Sequence, residues 1–320
     1  MNITLDLWSA SLYALAMVFA SCVVGLPLTA VGSEAISTFG RKTFADKFGQ
    51  QTMRFGLVMI VATWVALGTQ FGLMARDGVL THPLLAANRE LLLAALSLLA
   101  LGSVLSALSY LQWKKWKKEA RGLHLGVGIA GVLSLALAFL AAGFVLRGLV
   151  LFPDRPVLTS LPGQASLFWP LWIQWLALSV ALSSGLTLAY LLTRRLRDDF
   201  GRDYYRYALR FGARWALWPL LALVPLCSWF FFLARSGVHF TAPDILVAAG
   251  SRGLTLAAAV ICWLAVARSD SPLRLKWAVV LAAALVFVFV LFTLASFTAM
   301  LIQFCPELTG QTFVGIWLAP

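Results

Sequence analysis

Eight long apolar segments, separated by charged loops, constrain this chain more than any other feature of its sequence. A helix needs roughly 20 apolar residues to cross about 30 Å of hydrocarbon, and each segment reaches that length. None alternates polar and apolar residues as the strands of a membrane barrel do. Because backbone in lipid must satisfy its own hydrogen bonds, the sequence predicts an all-α integral membrane protein. The predicted transmembrane helices are 7–32, 55–75, 91–112, 123–150, 166–193, 211–234, 245–267 and 276–304.

The charged residues are few, and their distribution predicts a topology. They make up 12% of the chain, against about 25% in soluble domains. Most of the 25 lysines and arginines lie in the odd-numbered loops, which by the positive-inside rule face the cytoplasm. We therefore expect a multi-pass protein of the inner membrane with both termini outside. The net charge of +12 is explained by these loops, so the lipid bilayer and not nucleic acid is the expected partner. The odd-loop cations are Arg41, Lys42, Lys47, Arg54, Lys114, Lys115, Lys117, Lys118, Arg121, Arg194, Arg195, Arg197, Arg202, Arg206, Arg210, Arg214, Arg268, Arg274 and Lys276.

Short matches recur at offsets of about 160 residues, which is half the chain. Five matches in the same order indicate an internal duplication. We expect two domains, 1–160 and 161–320, each a four-helix transmembrane repeat. Because four is even, the two repeats are predicted to be parallel, related by an axis along the membrane normal. The matches pair 25–28 with 185–188, 39–41 with 200–202, 54–56 with 210–212, 75–79 with 234–238, and Arg89 with Arg252.

Arg252 is a cation predicted to lie well inside the seventh transmembrane helix. By helical rise it is about 10 Å below the outer boundary, where an unpaired charge costs several kcal/mol. One interpretation is that it extends to the interface or pairs with Asp244 or Glu307. The alternative is that Arg252 and Arg89 form a pseudo-symmetric ligand-binding pair for a haem propionate, the carbonyl region of a quinone or a lipid headgroup.

The histidines give a second set of candidates. His82 and His239 fall in equivalent outer loops and are candidate haem ligands, although surface-loop histidines commonly bind nothing. His124 stands alone among basic residues at the start of the fourth helix, where we expect it to face solvent.

Several patterns argue against a self-contained enzyme. Residues 126–131 match GxGxxG, but inside a membrane helix without a preceding strand they indicate close helix packing. We expect no Asp, Glu or His in mid-membrane, although Glu34 and Glu90 lie near helix ends. No nucleophile–base pair, phosphate-binding loop or metal cluster is recognisable, so no catalytic or metal-binding residues are assigned.

One stretch resembles a known family. Residues 25–34, Gly-Leu-Pro-Leu-Thr-Ala-Val-Gly-Ser-Glu, precede a basic loop and Arg54 at the entry of helix two. These first two helices resemble the N-terminal region of cytochrome bd-type quinol oxidase subunit I, where a Gly-Leu run is followed by a glutamate at the same spacing. Ala16 stands where that family has a haem-ligating histidine, and Gln174 is similarly placed in the second half. The resemblance therefore implies a haem-poor relative that serves as a partner subunit.

These observations lead to two main functional hypotheses, beside a third, an assembly or anchoring protein without a ligand. The first is a membrane subunit of a respiratory or other redox complex, without its own catalytic centre, that contacts quinone, haem b or membrane and outer-side redox partner subunits. The second is a transporter or permease for a small substrate, with an anion as the candidate because of Arg252.

Overall fold

The long apolar segments form helices over nearly their whole length. The computed structural model describes residues 7–76, 88–151, 162–235 and 240–304, and this part of the chain contains helices and no strand. Eight of these helices are long and apolar enough to cross a membrane, which confirms the predicted number and indicates a multi-pass protein in a lipid bilayer. The α-helices are α1 Leu7–Gly40, α2 Thr43–Arg76, α3 Arg89–Leu111, α4 Trp113–Glu119, α5 Arg121–Leu151, α6 Phe168–Arg194, α7 Arg202–Ala234, α8 Pro243–Arg268 and α9 Lys276–Phe304, with a 3₁₀ helix Pro272–Leu275 before α9.

Helices α1 and α2 continue far beyond their apolar segments, so the predicted ends at 32 and 55 were wrong. Helix α1 ends at Gly40 and α2 begins at Thr43. The added first turns of α2 carry charges, but Ala45, Phe48 and Thr52 on one face are buried. Hydropathy marks where contact with lipid ends, whereas a helix continues as long as one face packs. The same reason explains why α7 begins at Arg202 rather than at 211.

Helix α4 was not predicted. It is seven residues long, WKKWKKE, and lies between α3 and α5. Its lysines Lys114, Lys115 and Lys118 are exposed, whereas Trp113 is buried. This amphipathic turn joins two membrane helices and places an indole ring in the protein interior.

The chain divides into two compact units. The first unit is Cys22–Trp172, and the second comprises the residues up to Ser21 together with those from Ile173 onward. The predicted superposition of two parallel repeats stays a prediction, as does the orientation of the termini.

Helices α3 and α5 of the first unit pack at glycines. A Cβ atom on Gly102 would lie 2.6 Å from Cγ of Leu135 and 2.9 Å from the carbonyl oxygen of Gly131. On the other helix, a Cβ on Gly131 would lie 3.2 Å from Cβ of Leu105. The absence of side chains at both glycines allows this close approach.

The glycines of 126–131 contribute to packing as predicted, with one exception. A Cβ on Gly128 would lie 2.8 Å from Cγ2 of Val31, so the missing side chain at this glycine allows α1 to pack closely on α5. A Cβ on Gly126 would meet nothing within 4 Å. Gly128 and Gly131 are therefore packing positions, and Gly126 is not.

The second unit is held by an aromatic contact and a polar one. Trp263 of α8 is fully buried against α6, and a Cβ on Gly185 would lie 2.9 Å from its ring. Just beyond the end of α8, Arg210 of α7 donates hydrogen bonds to the carbonyl oxygen of Ser269 and to Oδ1 of Asp270, each at 2.6 Å. These bonds fix α7 to the segment that follows α8.

Candidate functional site

Glu34 is a carboxyl group within a candidate membrane span and has no exposure to solvent in the structure. It lies in α1, six residues before the end of the helix at Gly40, which is about 9 Å along the axis. Its relative exposure is 0%. Its neighbour Ser33 is also buried, and its hydroxyl donates a hydrogen bond to the carbonyl oxygen of Thr29 at 2.6 Å. The extended helix α1 therefore brings a carboxyl group into the interior of the first unit.

His124 of α5 is the partner of Glu34, and the expectation that it faces solvent was wrong. Its side chain is fully buried, and Nδ1 forms a hydrogen bond and ion pair with Oε1 of Glu34. On the other side of the ring, Nε2 lies 2.9 Å from the carbonyl oxygen of Ser109 and 3.3 Å from its hydroxyl. A residue from α1, one from α3 and one from α5 thus meet at a single imidazole.

The hydrogen bonds determine how many protons this pair holds. A carbonyl oxygen only accepts, so Nε2 of His124 carries a hydrogen that it donates to Ser109. One further proton lies between Nδ1 and Glu34, either on the ring beside a carboxylate or on the carboxyl group beside a neutral ring. In both arrangements the pair is electrically neutral. In the ionised arrangement the attraction between the two charges offsets part of the desolvation penalty, which is several kcal/mol for each buried ion, and in the neutral arrangement that penalty does not arise.

The second carboxyl oxygen of Glu34 is different from the first. Oε2 is buried and has no hydrogen-bond partner among the residues that the structure describes. A buried oxygen without a partner costs about 1–3 kcal/mol. A proton, a water molecule or a ligand that bonds to Oε2 would therefore remove this free-energy cost.

Two tryptophans of α4 cover His124. The ring of Trp113 meets the imidazole edge-on with centroids 4.9 Å apart, and Trp116 does so at 6.4 Å. Trp113 is fixed in turn because its Nε1 donates to Oδ1 of Asp46 on α2 at 3.3 Å. Lys117 forms an ion pair with the same carboxylate, which is 20% exposed. Trp113 therefore contacts both the imidazole of His124 and the carboxylate of this partly exposed ion pair.

A second polar cluster lies in the second unit, around Arg252 of α8. Its Nη2 lies 3.7 Å from Sγ of Cys227 on α7, and its guanidinium carbon lies 5.4 Å from the ring centroid of Phe289 on α9. Cys227 donates to Oε1 of Gln174 at 3.7 Å, and Nε2 of Gln174 donates to the carbonyl oxygen of Leu226 at 3.0 Å. The arginine therefore contacts neighbouring helices of its own unit.

The position of Arg252 on α8 agrees with these contacts. At 100° per residue, the most exposed residues of the helix lie on the opposite face from Arg252. The buried residues of the helix lie on the same face as Arg252. That face carries Ile245, Ala248, Ala259, Trp263 and Val266, and the opposite face carries Val247, Leu254 and Ile261.

Of the other predicted ligand-binding residues, the structure describes Arg89 alone. Arg89 is the exposed first residue of α3 in the first unit, and its pairing with Arg252 stays a prediction. His82 and His239 lie outside the described residues, as do Glu307 and the side chain of Asp244.

Among the described residues no histidine is free to ligate a haem. His124 is the only histidine among them, and both of its ring nitrogens are engaged. The amide of Gln174 is bound to Leu226, and Ala16 offers no ligand atom.

No protein-family model, curated protein or solved structure matches this chain.

Proposed function

We propose that this chain is a multi-pass subunit of a quinone- or cytochrome-linked redox complex of the inner membrane. In this complex the Glu34–His124 pair takes up and releases a proton. The supporting observation is that a hydrogen-bonded Glu–His pair is fully buried within two candidate membrane spans. Ionisable groups inside a membrane are costly and typically serve proton transfer or ion binding.

Redox chemistry fits this pair because quinone reduction consumes protons together with electrons. Glu34 and His124 lie near the lysine- and arginine-rich ends of α1 and α5, which are the predicted cytoplasmic ends. Asp46 and Lys117 are partly exposed on the same side. The pair is thus placed to exchange a proton with that side when the charge of a nearby electron carrier changes. The resemblance of the first two helices to a quinol oxidase subunit favours quinol as that carrier.

The proposed subunit does not supply its own redox centre. The one histidine among its described residues is engaged at both ring nitrogens, and in this proposal electrons pass through partner subunits in the membrane or on the outer side. The eight helices in this proposal form two parallel four-helix repeats with both termini outside, which places the Glu34–His124 pair at the cytoplasmic side.

The experiment is to purify the full-length chain with its partners from native membranes in mild detergent. We expect to see the absorption bands of a co-purifying redox cofactor. Added quinol should reduce this cofactor and shift its bands to those of the reduced form. Glu34→Gln keeps the shape of the side chain but removes its titratable proton, and should slow quinol-linked reduction at least about tenfold, equivalent to about 1.4 kcal/mol in the barrier. Glu119→Gln is the matched control because Glu119 is an exposed carboxylate of the same unit.

Two results would contradict this proposal. One is a purified protein that is colourless, holds no quinone and brings no redox partner. The other is equal quinol-linked rates for wild type, Glu34→Gln and Glu119→Gln.

A permease for a small anion is the second candidate, and the location of Arg252 favours it. A guanidinium group within a candidate span offers a binding group for an anion in transit. Proteoliposomes with the purified chain would then accumulate a labelled anion, and Arg252→Gln would abolish the uptake. Uptake that survives Arg252→Gln would exclude this role for the arginine.

A further inference from the structure

We propose that the second unit contains a binding site for one small monovalent anion, held by the guanidinium fork of Arg252 beside Cys227 and Phe289. This site is separate from the Glu34–His124 pair and is expected whether the protein is a redox subunit or a permease. It accounts for a cation inside a membrane helix whose described contacts carry no opposite charge.

The first step of the argument is the hydrogen-bonding capacity of Arg252. A guanidinium group has five N–H donors and no acceptor. The contacts seen around it are a thiol sulfur at 3.7 Å and the face of a phenyl ring. Sulfur is a weak acceptor, and a ring face supplies only part of a charge. Among the described side chains, no carboxylate forms an ion pair with Arg252. Neither of these described contacts is a strong acceptor, so an anion would give the guanidinium group a better partner.

The second step is that the neighbouring groups are oriented towards Arg252 in a specific way. Gln174 anchors its amide nitrogen on the carbonyl oxygen of Leu226, which directs Oε1 at Cys227. The thiol hydrogen of Cys227 points to Gln174, so the sulfur lone pairs remain for Arg252. Gln174 thus acts as a positioning residue, and an anion would replace the weak sulfur acceptor with a strong one.

The third step concerns the charge of the ligand. The site has one full positive charge and apolar neighbours such as Phe289, on the face of α8 that carries its buried residues. One monovalent anion makes the site neutral, whereas a divalent anion leaves a net buried charge at a cost of several kcal/mol. A carboxylate or a halide would come from solution, and the phosphodiester of an anionic lipid would supply the same single charge.

The test uses the full chain in nanodiscs of phosphatidylcholine and measures its apparent melting temperature. Saturating sodium acetate or chloride should raise this temperature by about 5 °C in wild type, because a ligand that binds only the folded state stabilises it. Succinate dianion at equal ionic strength should not. A second arm replaces phosphatidylcholine with phosphatidylglycerol. If the lipid is the source, the higher melting temperature appears there without added salt.

Arg252→Gln should remove the response in both arms. Arg235→Gln is the matched control, since Arg235 is an exposed arginine of the same unit that also stacks on a phenylalanine, Phe232. Arg252→Lys keeps the charge but loses the fork, and should raise the half-saturating acetate concentration at least about tenfold. This variant serves where Arg252→Gln does not fold.

Several outcomes would overturn the proposal. These are a wild type that responds to neither acetate, chloride nor phosphatidylglycerol, an Arg252→Gln response equal to that of Arg235→Gln, and an Arg252→Lys protein with the wild-type half-saturation. A response that appears only after Asp244→Asn or Glu307→Gln would identify an internal carboxylate as the counter-ion instead.

Discussion

Removing His124 should destabilise the protein far more than neutralising Glu34. In His124→Ala, Glu34 loses the charge-assisted bond to Nδ1, and the carbonyl oxygen of Ser109 loses the bond from Nε2. These bonds contribute about 1.5–3 and about 1 kcal/mol respectively, and the carboxyl group is left buried without a partner. The loss should total about 3–5 kcal/mol, the usual cost of breaking a buried pair from one side.

Glu34→Gln should cost below about 1 kcal/mol, because each hydrogen bond keeps a partner. The amide N–H of the new glutamine donates to Nδ1 of His124, and Nε2 still donates to Ser109. Denaturant unfolding in mixed micelles measures both variants and the double variant. In the double variant the unpartnered carboxyl group is gone, so its loss should be smaller than that of His124→Ala. A His124→Ala protein within about 1 kcal/mol of wild type, or a Glu34→Gln protein as unstable as His124→Ala, would refute this description of the pair.

Two further predictions follow from the packing and the charge distribution. Gly102→Leu should destabilise the first unit by about 1–3 kcal/mol, since even a Cβ there would lie 2.6 Å from Leu135. Gly126→Leu, on a glycine with open space beside it, is the control, and equal melting temperatures for the two variants would contradict the proposed α3–α5 contact. Reporter fusions after Leu80 and after Arg121 should report the outer and the cytoplasmic side respectively. The same compartment for both would remove the predicted topology.

Hydropathy was sufficient to predict the eight candidate membrane helices. Each apolar segment is long enough to cross a bilayer, and in lipid a helix satisfies the hydrogen bonds of its own backbone. Hydropathy could not give the helix ends. Phe48 and Thr52 belong to a segment that looks like a charged loop, yet they are buried on one face of α2. The short helix α4 was not predicted because its four lysines dominate its composition, whereas its packing depends on the buried Trp113.

The Glu34–His124 pair was missed because its partners are 90 residues apart in the sequence. Glu34 was placed two residues beyond the predicted end of its helix, and His124 was interpreted from the basic residues around it. One local signal was present. His124 shares a helical face with Gly128, Gly131 and Leu135, all of which pack against other helices, so its periodicity indicated the interior.

The most direct test of the proposed function is an infrared difference spectrum of the purified complex, taken between its reduced and oxidised states. If the Glu34–His124 pair takes up a proton with each redox cycle, the spectrum contains the carbonyl stretch of a protonated carboxyl group. That band should disappear in Glu34→Gln and remain in Glu119→Gln. A difference spectrum without a carboxyl band, or a band that persists in Glu34→Gln, would contradict redox-linked protonation of this pair.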